Sequence, residues 1–436
     1  MEEITEETTV DEKPPYKVTL VSPTCFFYQT ALYQALASHP GLDFTVCFCS
    51  EEGLNGGDIP KKFNTEGRWT EQNNLLEGYK HKFLRNFSPW PSYLSWPFGL
   101  INIGIWNELR RTRPDVVILM SWMNPTWWIA ILACLFFRIP FMYMTDTNVL
   151  GEINKPCWKA WIKRLLIGKL LFKLTFGLLY VGEANKKMYQ YYRVPDRKLV
   201  DFAFTWGYEE FFKQATELAP RKEQNRLEVG IPKNSNVILY CGRLSKEKSP
   251  SVLLEAFHRL ELEKKALVFL GDGRLRESLE EYVAKNQLDS VFFAGFKNRD
   301  DICMYYAISD VLVVPSSSEA TGAVINEAMC FKLPIIVSDQ VGFGMDLVKT
   351  DYNGFCFPVG DTDALASSIK TLFSMPVEKR LEMGARSHAT RPATRRARPP
   401  LRAARRRKLR TSAGRSSRTA ASSSATSSSK CARMAG

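Results

Sequence analysis

Apolar residues fall into short unbroken runs separated by longer amphipathic stretches. This is the pattern of strands buried on both faces and joined by helices. The first run, Tyr16–Val21, leads through the loop Ser22–Thr24 into a helix ending at Ala37, and Phe44–Cys49 is the next strand. Pro114–Met120, a helix over Pro125–Phe137, then Ile139–Met144 and Phe176–Val181 continue the series, with Phe176–Val181 expected as the last strand of a first domain. Gly53–Trp96, rich in Trp, Pro, Asn and Lys, interrupts it as a long irregular connection before a helix around Ile101–Thr112. Lys198–Glu210 crosses to a second series: mostly helix over Phe211–Val229, then strands at Val237–Tyr240, Ala266–Leu270 and Val311–Val314, ending near Ser374. The expected fold class is α/β, with two consecutive doubly wound parallel-sheet domains. Their expected limits are 16–205 and 206–383, flanked by a disordered leader, 1–15, and a low-complexity tail, 384–436.

The densest chemistry lies in Val311–Asp339. After the strand Val311–Val314, Pro315 opens a small polar loop, Ser316–Gly322; a helix is expected over Ala323–Phe331 and a strand over Leu333–Val337. A helix start offers unpaired N–H groups and about half a positive charge, which suits phosphate. Gly322 lacks a Cβ, so a ligand could approach the backbone there. Glu319 and Glu327 frame this junction. Eight steps of continuous helix would hold them roughly 12 Å apart, about the reach of a nucleoside diphosphate carrying one sugar. From spacing alone, a pair that only complements the helix dipole stays equally open.

Further blocks accompany this stretch in order: Tyr240-Cys241-Gly242-Arg243-Leu244 with Lys248, Leu270-Gly271-Asp272-Gly273, Phe293-Ala294-Gly295-Phe296, and Asn353-Gly354-Phe355 with Phe357–Asp361. Together with Pro315-Ser316, Glu319, Gly322, Asn326–Met329, Leu333-Pro334 and Ser338-Asp339, they resemble the signature of family 4 glycosyltransferases, the large retaining group with the GT-B fold. The resemblance covers about Val237–Phe373 and implies two Rossmann-like domains facing a cleft. It assigns Arg243 and Lys248 to the donor diphosphate, Glu319 to the donor sugar hydroxyls and Glu327 to the ribose. Gly242 and the backbone of Thr321, Gly322 and Ala323 would line the phosphate site. Gly271, after a strand, could admit ligand, although a plain turn is the alternative. The donor would be a UDP- or GDP-type nucleotide sugar and the acceptor a glycan, lipid-linked or small-molecule hydroxyl. No cofactor and no metal are expected: Asp361-Thr362-Asp363 mimics a metal-binding pattern but reads as a helix N-cap.

The first domain departs most from the family pattern. Ser22–Tyr28 carries no glycine pair, and none of the chain's four His falls where relatives place one. Asp146, at the end of the strand Ile139–Met144, stands there instead as a sugar contact or an ordinary turn residue. Gly53–Trp96 would face the cleft, either for the acceptor or as a surface insertion. A GT-B epimerase and a non-catalytic nucleotide-sugar binder remain alternative readings.

Charge changes the picture once it is located. The net charge is +13, yet fifteen Lys and Arg and no acidic residue lie in 384–436, which leaves −2 for residues 1–383. A nucleic-acid reading of the folded body therefore fails. The tail's abrupt start near Ser387 suggests a reading-frame change or artificial junction near His388, with a genuine basic tail as the alternative. Pro156–Leu174 reads as a basic amphipathic helix for peripheral membrane contact or for packing against the domain. Ten scattered cysteines without zinc or redox spacing, and an acidic start unlike a signal peptide, point to a cytoplasmic chain, at most at the inner face of a membrane.

Overall fold

The computed structural model describes residues 14–54, 75–147, 149, 164–202 and 207–390. The first lobe contains β1 (Tyr16–Ser22), α1 (Thr30–Ala37), β2 (Leu42–Phe48), β3 (Lys80–Phe83), α2 (Gly104–Thr112) and β4 (Val116–Leu119). It continues with α3 (Pro125–Phe137), β5 (Phe141–Met144), β6 (Gly177–Tyr180), α4 (Glu183–Tyr191) and β7 (Leu199–Asp201). The second lobe runs through α5 (Glu209–Leu218), α6 (Lys222–Glu228), β8 (Asn236–Cys241), α7 (Pro250–Arg259), β9 (Lys265–Leu270), α8 (Arg276–Lys285) and β10 (Val291–Gly295). Then come α9 (Arg299–Ile308), β11 (Val311–Val314), α10 (Ala323–Cys330), β12 (Ile335–Ser338), α11 (Gly342–Leu347), β13 (Gly354–Phe357), α12 (Thr362–Ser374) and α13 (Val377–Thr390).

The strands form two sheets, β3-β2-β1-β4-β5-β6-β7 and β10-β9-β8-β11-β12-β13, and every pairing is parallel. Helices cover both faces, which is why the central strands are apolar without alternation: all four residues of β11 and of β12 are buried. The expected fold class holds. Chain order reverses beside β1, between β2 and β4, and again beside β8, between β9 and β11. At such reversals the loops leaving adjacent strands diverge to opposite faces and open a crevice at the carboxyl edge.

Several expectations change. Phe176–Val181 does not close the first sheet, because β7 adds an edge strand beyond it, pairing Leu178 with Leu199. That strand has only three residues, bounded by the polar Lys198, so no apolar run announces it. Gly53–Trp96 is not wholly irregular, since Lys80–Phe83 pairs with Thr45–Phe48 at the opposite edge. Of Pro156–Leu174, residues 156–163 lie outside the described set; Arg164–Leu171 forms wide helical turns, and Ile167, Leu171 and Phe172 are buried in the first-lobe core. The described part thus packs against the domain. Helix α13 continues past Met383 to Thr390: Ser387 is buried, and the His388 ring lies edge-on to Phe212 at 5.5 Å. The helix therefore takes in the first residues of the expected tail, and the expected junction near His388 falls in its last turn. The expected leader, up to residue 13, and the tail from residue 391 lie outside the described residues.

Candidate functional site

Two loops meet at the second sheet's reversal. After β8 the chain makes a tight turn in which the Lys248 N–H donates to the Ser245 carbonyl at 3.0 Å, and Ser249, with φ of 51°, turns it into α7. After β11 the loop docks on that turn: the N–H groups of Ser317 and Ser318 donate to the Glu247 carbonyl at 2.9 and 3.3 Å. This docking brings Lys248 Nζ into contact with Glu319 Oε2, and the two side chains are only 20% and 16% exposed. Arg243, 38% exposed, reaches Glu247 at 3.9 Å on the open side. Burial pulls the Lys248 ammonium down to about 8, with the Arg243 charge adding to the shift and Glu247 opposing it. The touching Glu319 carboxylate also favours the charged form.

Glu327 projects from the second turn of α10 toward the same hollow. Its Oε2 accepts a 2.7 Å hydrogen bond from the Tyr306 hydroxyl, and Tyr306 on α9 is fully buried. Cys241, the last residue of β8, lies between these groups. Burial pushes its thiol up to about 12, and Glu327 adds to this, while the Tyr306 hydroxyl and the Lys248 charge act against it. The sequence reading left out Tyr306 and quoted Cys241 only within its block, without a role. Tyr306 sits in an apolar helix whose pattern signals core, and only the fold shows which carboxylate its hydroxyl meets. If Glu327 holds the ribose of a nucleotide-sugar donor, as the resemblance implies, Tyr306→Phe should leave one Glu327 oxygen without this hydrogen bond and raise the donor KM about tenfold with little change in kcat, at the scale of one hydrogen bond to a charged group. Initial-rate kinetics at varied donor check this; an unchanged KM would separate Tyr306 from donor binding.

Thr321, Gly322 and Ala323 form the start of α10. Residues 319–322 are not helical, and Gly322 takes a left-handed φ of 82°, so the roughly 12 Å helical spacing of the two carboxylates does not apply. Glycine roles also shift. A Cβ on Gly322 would meet Val341 Cγ1 at 2.8 Å, and one on Gly271 would strike the Gly242 carbonyl at 2.0 Å. The bare faces of both are filled by protein, so they allow loops to pack rather than ligand to approach. Gly242 is the open one: φ is 153°, and nothing lies nearer than 3.8 Å to the position of a Cβ. Asp361 caps α12, its Oδ1 accepting from the Ala364 N–H at 2.8 Å, as the sequence indicated.

The site loop is also tied to the first lobe. The Glu319 carbonyl accepts from the Gly342 N–H at 3.1 Å and the Thr321 carbonyl from the Phe343 N–H at 2.8 Å, both at the start of α11. From the same helix, Asp346 accepts the Glu183 N–H of α4 with both carboxylate oxygens at 3.1 Å.

At the first sheet's reversal lies a cavity of about 330 Å³, lined by residues that include Phe26, Tyr28, Trp96, Trp127 and Asp146. Aromatic side chains fill the loop after β1: Phe26 stacks on Tyr28 at 5.2 Å and meets Tyr93 edge-on at 5.5 Å. Asp146 is accessible at the cavity, yet the protein packed around it raises its carboxyl through desolvation. Burial, and then the Asp146 charge, raise the Tyr28 phenol. Asp146 is also a turn residue, since the Thr145 and Thr147 hydroxyls bond across it at 3.0 Å. The structure brings Arg243, Lys248, Glu319, Glu327 and Gly242 to the second crevice and sets Asp146 in the first.

Residues 221–389 match the family model described as Glycosyl transferases group 1, so the chain carries a glycosyltransferase domain of that group. An uncharacterized glycosyltransferase of Methanocaldococcus jannaschii is 32% identical over 34% of this chain and 38% of its own length. The sulfoquinovosyl transferase SQD2 of Arabidopsis thaliana is 31% identical over 34% of this chain and 28% of its own. Alpha-D-kanosaminyltransferase of Streptomyces kanamyceticus is 28% identical over 54% and 59%. Each alignment thus spans less than two thirds of the relative. Among solved structures, a glycosyltransferase from Rickettsia africae aligns with a TM-score of 0.66 at 18% identity, covering 87% of this chain and 93% of that one. Anabaena Alr3699/HepE in complex with UDP aligns at 0.65 and 14%, covering 91% and 100%. These likenesses establish the two-lobed GT-B fold.

Proposed function

We propose that this chain is a retaining glycosyltransferase. It moves a sugar from a UDP- or GDP-type nucleotide sugar in the second-lobe crevice to an acceptor hydroxyl in the first-lobe cavity. One observation carries this reading: at the reversal of the second sheet, inside the matched region, Lys248 and Glu319 close on each other beside Arg243, Glu327 and Gly242.

The chemistry follows from those groups. The bond from the anomeric carbon to the diphosphate oxygen breaks, and its electron pair leaves with the diphosphate. Arg243 offers a planar fork and Lys248 a point charge to meet the growing negative charge, joined by the N–H groups at the start of α10. These fixed donors take the role that a bound cation plays in other transferases. Glu319 exchanges its ion pair for donor sugar hydroxyls, and Glu327, held by Tyr306, accepts from the ribose hydroxyls. The acceptor oxygen bonds on the face the diphosphate leaves, and its proton passes to a departing phosphate oxygen. Catalysis then consists of positioning and charge stabilisation. In the first-lobe cavity, Asp146 orients the acceptor and the aromatic side chains give sugar rings a flat apolar surface.

The test is incubation of the full chain with labelled UDP- and GDP-sugars and a panel of glycan, lipid-linked and small-molecule acceptors. Transfer with unchanged anomeric configuration is expected. Binding without turnover would leave a nucleotide-sugar binder, the reading that the aromatic Ser22–Tyr28 loop favours. An isomerised donor would indicate an epimerase.

A further inference from the structure

The described residues expose eighteen large hydrophobic side chains, and ten of them fall between Phe87 and Phe136. That concentration exceeds the scatter of single apolar residues normal on a soluble surface. On α3, Leu132, Leu135 and Phe136 are 59%, 45% and 72% exposed, at the spacing of one helix face. Helix α2 packs alongside: Trp106 lies 5.5 Å from Phe136 and 5.3 Å from Phe137, ring to ring, and Ile103 before it is 54% exposed.

Cations outnumber exposed carboxylates on this face. Arg110, Arg111 and Arg113 end α2, Arg138 ends α3, and all four are exposed. Within 99–138 the only acidic residues are Glu108 and Asp115. Glu108 is buried and paired with Lys82 and Arg111, whereas Asp115 is exposed and accepts the Lys17 backbone N–H at 3.0 Å. The Arg113 guanidinium sits 4.5 Å over the Phe137 ring, so apolar and cationic surface are interleaved. The first-lobe cavity lies toward the other end of α3: the buried Trp127 near the helix start lines it, and so do Leu94, Trp96 and Met123, which are 48%, 65% and 48% exposed.

We infer that the outer face of α2 and α3 docks on the surface of an anionic phospholipid bilayer. Leu, Phe and Trp side chains enter the boundary between headgroups and acyl chains, and the four arginines meet lipid phosphates from the rim. No described helix is long and apolar enough to cross a membrane, so this contact is interfacial. The residues of this surface are not those of the 156–174 stretch, and the inference does not depend on sugar transfer.

The test is co-sedimentation of the full chain with vesicles of phosphatidylcholine alone and of phosphatidylcholine containing phosphatidylglycerol. Binding is expected only with the anionic lipid and should weaken as salt rises. The Leu132→Glu/Phe136→Glu double variant should partition about tenfold or more less well. Arg110→Glu/Arg138→Glu should do the same without altering apolar packing, so the test stays decisive if the first variant fails to fold; thermal melts report folding. Absence of binding to either vesicle, equal binding to both, or binding that neither variant changes would overturn the inference. A dimer in light scattering that Phe136→Glu converts to monomer would overturn it too, by assigning the face to a second copy.

Discussion

Replacing Lys248 by alanine is expected to lower kcat/KM for sugar transfer by about 10²- to 10³-fold, the scale on which one preorganised charge acts at a departing group. The Lys248 ammonium touches Glu319 across the two site loops, with both side chains largely buried. Its loss removes a cation from the diphosphate and leaves Glu319 without this partner, so part of the effect appears in kcat. Lys248→Arg keeps the charge and should recover much of the rate. The pH profile distinguishes charge from shape. Burial, then Arg243, hold the ammonium down to about 8. The Glu319 contact favours the charged form, so kcat/KM should fall as pH rises through 8 or somewhat above, because this parameter reports the free enzyme. The arginine variant should stay flat through that range. Stability moves the opposite way: a Lys titrating lower in the folded than in the unfolded chain binds fewer protons folded, so its contribution to stability grows as pH rises from about 8 toward 10.5. A profile unchanged between wild type and Lys248→Arg would detach Lys248 from the reaction.

Gly271→Ala should be among the most damaging single methyl additions in the second lobe. The added Cβ would lie 2.0 Å from the Gly242 carbonyl oxygen, and φ at this position is 135°. Strain of about 1–3 kcal/mol from the backbone and a backbone–backbone clash combine, so a loss of about 4 kcal/mol or more is expected. Either the chain fails to accumulate as a folded protein or the loop carrying Gly242 and Arg243 is displaced. Thermal denaturation of wild type, Gly271→Ala and, as a control, Gly230→Ala checks this. Gly230 also has a positive φ, 79°, but nothing lies within 4 Å of a Cβ there, so only the smaller conformational cost should appear. Equal melting temperatures for the two variants would contradict the packing role of Gly271.

Both sheets were legible because buried parallel strands write themselves as unbroken apolar runs, as Val311–Val314 and Ile335–Val337 do. β7 and β3 were not, because edge strands of three or four residues with polar ends carry no such run. Lys248, Glu319 and Glu327 could be nominated from ordered blocks of residues, but their convergence depends on where β8 and β11 lie, side by side at the point where chain order reverses. Gly271 and Gly322 show the limit of composition: a glycine admits close approach, and sequence does not say whether a ligand or another loop approaches. Tyr306 and Phe26 were hidden for a related reason, since an aromatic residue in an apolar helix or loop gives no sign of the group its edge or hydroxyl meets. The exposed row on α3 was likewise masked by its uniformly apolar sequence, which reads as core on every face.

The central claim is that the chain's own fixed charges in the second-lobe crevice receive a nucleoside diphosphate. Calorimetric titration of UDP and GDP into wild type, Arg243→Ala and Lys248→Ala tests it most directly. The account predicts saturable binding of at least one nucleotide by wild type, weakened about tenfold or more by each substitution, at the scale of a charge-assisted hydrogen bond. Binding that both variants retain undiminished would contradict it.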